Sequence, residues 1–186
     1  MTDVRLDRLD EEHVRPLMSI IRSIRERGLR VPNVDPEDGG TGAVALFLLE
    51  TPGPKAVNSD FISRDNDDPS ARNMRTELAR AGFARSEVVL WNVVPHCLST
   101  EAKNKNATSG EIRASLPDTQ RFIDALPGLR VVVFCGRKAQ RARPRLRLPA
   151  GLHALDTFHP GAMAYNHQRC RQDIAEKFGK ARELSR

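Results

Sequence analysis

Four short strand-like runs, three of them mostly apolar and each cut off by proline or glycine, constrain this chain more than any other feature. Ala43-Val44-Ala45-Leu46-Phe47-Leu48-Leu49 runs straight into Glu50-Thr51-Pro52-Gly53-Pro54. Val88 to Val94 stops at Pro95, Arg130 to Cys135 at Gly136, and Leu152 to Phe158 at His159-Pro160-Gly161. An apolar run without polar alternation fits a strand buried on both faces, as in a parallel sheet covered by helices. Helical patterns lie between the runs. Val14, Leu17, Met18, Ile21 and Ile24 recur at spacings of three and four over Asp10 to Arg27, and Gly28 is a natural stop. A second helix opens at Pro69-Ser70, carries Ala71, Met74, Leu78 and Ala81 on one stripe, and closes at Gly82. A third covers Glu111 to Leu126, with Pro117 inside it where a proline divides a helix. A fourth covers Asn166 to Phe178, with Cys170, Ile174 and Phe178 on one face. Val31 to Thr41 and Lys55 to Asp68 read as irregular, and Glu101 to Gly110 as a polar, mobile connection. Alternation of strand and helix predicts an α/β fold with a mainly parallel sheet between helical layers.

The 186 residues suffice for one domain with a full core, and a second would be crowded. One domain over 1–186 is expected, with 1–30 as an N-terminal covering helix. Hydrophobic residues make up 39% and charged residues 29%, a globular rather than disordered balance. Lys and Arg outnumber Asp and Glu by 30 to 24, and this surplus suits a polyanionic partner as well as it suits plain solubility. The basic residues are not evenly spread. Arg137, Lys138, Arg141, Arg143, Arg145 and Arg147 follow one another with no acid between them, which points to phosphate contact.

The cysteines, Cys97, Cys135 and Cys170, are far apart and lack any C-x-x-C pair, so neither a disulfide framework nor a zinc knuckle is expected. A reducing cytoplasm is the simplest setting. No apolar run approaches the roughly twenty residues of a membrane span, and Met1 to Asp10 lacks the apolar core of a signal peptide. The dinucleotide fingerprint and the phosphate-cradling G-x-x-x-x-G-K-[ST] loop are absent, and no cofactor is expected. A monomer is expected.

In a parallel sheet the carboxyl ends of all strands share one edge, where open α/β folds place their ligands. That edge would gather Glu50 and Thr51, then Asn92 and His96, then Arg137 and Lys138, then His159. The residue types suit one task. An asparagine amide offers a donor and an acceptor, so it can read a pyrimidine edge. A histidine can donate to a carbonyl oxygen on which negative charge grows. A carboxylate can orient an attacking water. An aromatic ring can stack on a base, and Phe61 is the candidate ring.

These residues carry a resemblance. Glu50-Thr51-Pro52-Gly53 resembles the G-E-A-P-G water-activating motif of bacterial uracil-DNA glycosylases. Asn92-Val93-Val94 resembles the N-V-V segment whose asparagine reads uracil. His159-Pro160-Gly161-Ala162 resembles the H-P-x-x segment that ends the last strand of that superfamily. The resemblance spans about Ala43 to Phe178 and implies a four-stranded parallel sheet in a three-layer α/β/α sandwich. It also implies hydrolysis of the N-glycosidic bond of a flipped-out deoxyuridine in DNA.

Carried over residue by residue, Glu50 positions water, His159 donates to the uracil carbonyl, Asn92 reads the base and Phe61 stacks on it. Thr51, Pro52 and Gly53 complete the first motif. Ala162, Met163, Ala164 and Tyr165 form a loop that wedges into the duplex. Arg137, Lys138 and Arg169 are the expected phosphate contacts. There are departures. Leu49 replaces the motif's first glycine, and Thr51 stands where other branches carry an acid or amide. Water activation would rest on Glu50, or on Asp65, Asp67 or Asp68 as a substitute. The iron–sulfur branch has four cysteines and this chain three, so no cluster is expected. The resemblance implies excision of uracil or another deaminated base in repair. The alternatives are a non-catalytic member that grips uracil-DNA, and a small-molecule hydrolase using His159 and Glu50 as acid and base.

Overall fold

The structure, a computed structural model, describes residues 3–99 and 105–186. The connection expected to be mobile at 101–110 therefore lies partly outside the described residues. In chain order the helices are α1 (Arg15–Arg25), α2 (Pro54–Ser59), α3 (Pro69–Ala81), α4 (Ser109–Asp124), α5 (Arg137–Ala142), α6 (Ala162–Tyr165) and α7 (Gln168–Leu184). The strands are β1 (Asn33–Val34), β2 (Ala45–Leu49), β3 (Phe61–Ile62), β4 (Val88–Asn92), β5 (Val131–Cys135) and β6 (His153–Thr157).

The four strand-like runs are β2, β4, β5 and β6, and they form one parallel sheet in the order β4-β2-β5-β6. Alternation along β2 decides which helices cover which face. The Phe47 ring lies 4.6 Å from Phe178 of α7 and 5.8 Å from Phe83, just past α3. Leu48 points the other way. Its register partner Trp91 stacks on Phe122 of α4, with centroids 4.1 Å apart and planes 13° apart. α3 and α7 pack together on the first face, while α1, α4 and α5 pack in series on the second. The three-layer sandwich anticipated from the sequence is the observed one.

Connections leave the two central strands on opposite faces. β2 continues through α3 to β4, whereas β5 continues through α5 to β6. The carboxyl ends of β2 and β5 thus flank a topological switch point, the place where open α/β sheets leave a crevice.

Several local outcomes differ from the sequence reading. Pro117 does not divide α4, which runs unbroken from Ser109 to Asp124 behind a reciprocal cap between Thr108 and Glu111. Its ring is exposed, so the helix loses one internal bond and buries no clash. The stretch at 55–68 is more ordered than expected. It holds α2, begun by Pro54 at its first position, and β3, which pairs in parallel with β1. Asp60 makes the sharp turn between them in the left-handed conformation (φ 62°), held by the Asn33 amide at 2.9 Å. The N-terminal segment is fastened by buried ions. Arg85 reaches Asp35 at 2.8 Å, Asp38 at 3.2 Å and Asp65 at 2.5 Å, while Arg64 reaches Asp38 at 3.1 Å. Burial pushes the Asp38 carboxyl up to about 7 in spite of these guanidiniums. No helix among the described residues is long and apolar enough to cross a membrane.

Candidate active site at the strand ends

A cavity of about 410 Å³ opens at the strand ends, a volume within the range of small-molecule sites. Its floor is apolar, built from Leu49 and Leu90 at the sheet and from Ala71 and Met74 of α3. Leu49 and Asn92 are register partners, so they share the face that carries Phe47 and Leu90. The asparagine therefore points toward α3, into the cavity, while its neighbour Trp91 fills the opposite core. Asn92 is only 3% exposed, and its side-chain amide makes no hydrogen bond among the described residues. A buried amide facing a hollow with both hydrogen-bonding sides free is prepared for a ligand.

His159 lines the same cavity from the end of β6. Two glycines let it sit there. Gly136 takes φ 89°, ψ 159°, and a Cβ at that position would stand 2.9 Å from the His159 Cβ. Gly161 lies under the ring, where a Cβ would come within 2.9 Å of Nδ1. The Gly161 backbone N–H donates to Nδ1 at 3.0 Å. A nitrogen that accepts carries no proton, so the neutral ring bears its proton on Nε2. Burial pulls the imidazole below its usual range, against a smaller upward pull from Asp68. At neutral pH this histidine is a neutral N–H donor.

Two carboxylates line the cavity, Glu50 and Asp68. Glu50 Oε1 accepts from the Ala107 N–H at 2.7 Å. Asp68 caps α3 by accepting from the Ala71 N–H at 3.0 Å. Each keeps a second oxygen. The other two aspartates named from the sequence are elsewhere: Asp65 is bound to Arg85 and Arg75, and Asp67 to Arg72. Thr51, Pro52 and Gly53 line the rim, and the Thr51 hydroxyl donates to the His96 carbonyl at 2.9 Å, stapling the ends of β2 and β4. His96 itself does not line the cavity; burial lowers its pKa, and its Nδ1 has no partner among the described residues.

Phe61 is not in the cavity. It is fully buried, with the Arg5 guanidinium 4.1 Å from its ring centroid. Successive residues of a strand face opposite ways, and in β3 it is Ile62 that reaches the wall. Phe61 therefore cannot stack on anything in the cavity, whose apolar walls are aliphatic side chains.

The segment after His159 is docked on α3. The Asn73 amide donates to the Pro160 carbonyl at 2.7 Å, and the Tyr165 hydroxyl donates to Glu77 Oε1 at 2.5 Å. Asn73 and Glu77 are one turn apart on α3, and sequence reasoning missed both, although their four-residue spacing puts them on one stripe. Tyr165 is thereby tethered, whereas Met163 is 86% exposed and Ala162 is also exposed. Arg137 and Arg169 are exposed, and the Lys138 ammonium donates to the Ala107 carbonyl.

Residues 49–181 match the profile of the Uracil DNA glycosylase superfamily. No curated protein matches the chain. Among solved structures, a mimivirus UNG variant in complex with UGI is similar over 83% of this chain and 67% of its own, at 16% identity and a TM-score of 0.42. The profile match begins at the end of β2 and reaches into α7, so it takes in every residue that lines the cavity. This chain belongs to the uracil-DNA glycosylase superfamily.

Proposed function

We propose that the protein is a monofunctional DNA glycosylase that excises uracil, or another deaminated base, flipped into this cavity. The observation that carries the reading is the convergence of the free Asn92 amide, the Nε2–H of a neutral His159 and two carboxylates on one hollow. Asn92 pairs with the polar edge of the base. Leu49, Leu90 and Met74 hold its faces.

As the N-glycosidic bond breaks, its electron pair moves onto the base, and negative charge collects on the carbonyl oxygen. His159 donates to that oxygen. A neutral donor suits this role because it stabilises the anion without first giving up a proton. Removing one such donor costs about 10²–10³ in rate. Glu50 orients the water that adds to the sugar carbon, and the products are the free base and an abasic site. Asp68 lies near enough to His159 to raise its pKa, and it is the second candidate for the water. Arg137 and Arg169, both exposed, face the DNA backbone, while Lys138 is held by the Ala107 carbonyl, and Met163 enters the duplex in place of the flipped base.

The test is release of free uracil from a uracil-containing oligonucleotide by the parent and by Asn92→Ala, His159→Ala, Glu50→Gln and Asp68→Asn. Asn92→Ala and His159→Ala should each lose at least about a hundredfold. Asp68→Asn keeps the helix cap, so a loss there reports the charge itself. Equal rates in all variants would remove the site from the reaction. Binding with no product from the parent would instead favour a member that grips uracil-DNA without cutting it.

A further inference from the structure

A second hollow, of about 260 Å³, lies on the second face of the sheet between the start of α4 and α5. It is lined by Ser109, Ile112, Arg113, Arg141 and Arg145. Three arginines meet there, Arg113 from α4, Arg141 from α5 and Arg145 from the turn that follows α5, and among the described residues none of them has an acidic partner. Arg145 is turned by a bond to the Arg141 carbonyl at 3.2 Å. The nearest carboxylate in sequence, Glu111, is already engaged by Lys105 and by the Thr108 cap. Like charges brought together without a counterion repel, and an anion in the hollow would relieve that repulsion. Guanidiniums bind phosphate through paired N–H groups, and an exposed serine hydroxyl beside them adds a further donor.

The other arginines of the basic run do different work. Arg143 pairs with Asp156 at 2.9 Å, and the Arg147 backbone is bound to Gln120. The hollow lies across the sheet from the base cavity, but the two are linked at the strand ends. α4 and α5 both begin at the carboxyl edge of the sheet, and residues 105–108 run between the two hollows. Ala107 joins them: its N–H is held by Glu50 of the cavity and its carbonyl by Lys138 of α5.

We propose that Arg113, Arg141 and Arg145 form a phosphate-binding pocket that takes a backbone phosphate of the bound DNA, flanking the flipped nucleotide. The proposal rests on the nucleic-acid reading above, but its test does not depend on chemistry. Binding of a uracil-free duplex is measured by fluorescence anisotropy across a range of salt. The variants are a triple Arg113→Gln, Arg141→Gln, Arg145→Gln protein and the corresponding triple lysine protein. The triple glutamine variant should bind about tenfold more weakly and lose about 1 from the slope of log K against log salt. The triple lysine variant should keep the slope, because it keeps the charge. An unchanged salt slope in the glutamine variant overturns the proposal. So does a thermal shift by inorganic phosphate that the glutamine variant loses while its DNA binding stays intact, because the pocket then serves a small phosphate ligand. If no variant nor the parent releases uracil, the slope still decides whether the pocket meets DNA.

Discussion

Replacing Gly136 by alanine should damage the protein twice over, once in the backbone and once at His159. At φ 89°, ψ 159° the residue occupies a region that only glycine visits readily, and a side chain there costs about 1–3 kcal/mol. The new methyl would also stand 2.9 Å from the His159 Cβ, well inside the roughly 3.5–4.0 Å at which carbon atoms attract. Either the end of β5 or the start of the His159-Pro160-Gly161 turn must then move by several tenths of an ångström. Backbone and contact together should cost about 2–4 kcal/mol. Gly82 supplies the control. It too has a positive φ, 79°, at the end of α3, but an added Cβ meets nothing within 4 Å, so Gly82→Ala should cost only about 1–2 kcal/mol.

Urea unfolding separates the two. With an m-value of about 2 kcal/mol/M, the midpoint should fall by about 1–2 M for Gly136→Ala and by less than about 1 M for Gly82→Ala, without a change of slope. The imidazole resonances of His159 should shift in Gly136→Ala and stay in place in Gly82→Ala. Equal losses of stability in the two variants, or an unmoved His159 signal in Gly136→Ala, would refute the claim that this glycine exists to make room for the histidine.

Three further outcomes follow from other contacts. Burial depresses the His159 pKa, so below pH about 6.5 the unfolded chain takes up the proton before the folded one does, and stability falls with pH. His159→Asn should therefore lose less stability between pH 7 and pH 5 than the parent, as read from urea midpoints. Arg85→Ala should cost about 3–5 kcal/mol in the same assay, because it removes the guanidinium shared by Asp35 and Asp38, whose side chains are almost fully buried, and leaves Asp35 to Arg5 and Asp38 to Arg64 alone. Tyr165→Phe leaves buried Glu77 without its phenol, with a cost of about 1–3 kcal/mol by thermal or urea unfolding. If the tether also aims Met163, uracil release should drop on duplex substrate and hold on single strands.

The sequence disclosed the sheet because a doubly covered strand must be apolar throughout, and β2, β4 and β5 obey that rule along their whole length. It disclosed Asn92 and His159 for a related reason: a polar residue at the end of such a run, followed by proline or glycine, has nowhere to point but the edge. Where the elements are short, this logic fails. β1 and β3 have two residues each, too few for any periodicity, and their pairing turns Phe61 into the core and Ile62 toward the cavity. Either orientation is compatible with the same letters. The acidic stretch shows a second limit. Asp65, Asp67 and Asp68 are chemically alike, but Arg85 and Arg72 occupy the first two, and only Asp68, fixed as the cap of α3, is left beside the ligand space. The basic run behaves likewise. A net charge of +6 says nothing about place, and the unbroken string of cations from Arg137 to Arg147 overstates the binding surface. Folding spends Arg143 on Asp156 and Lys138 on a backbone carbonyl, then brings Arg113 from another helix to join Arg141 and Arg145. Which charges remain for a partner is therefore decided by tertiary pairing, and the cations without acids, rather than the cations in sequence, are the ones left free for an anion.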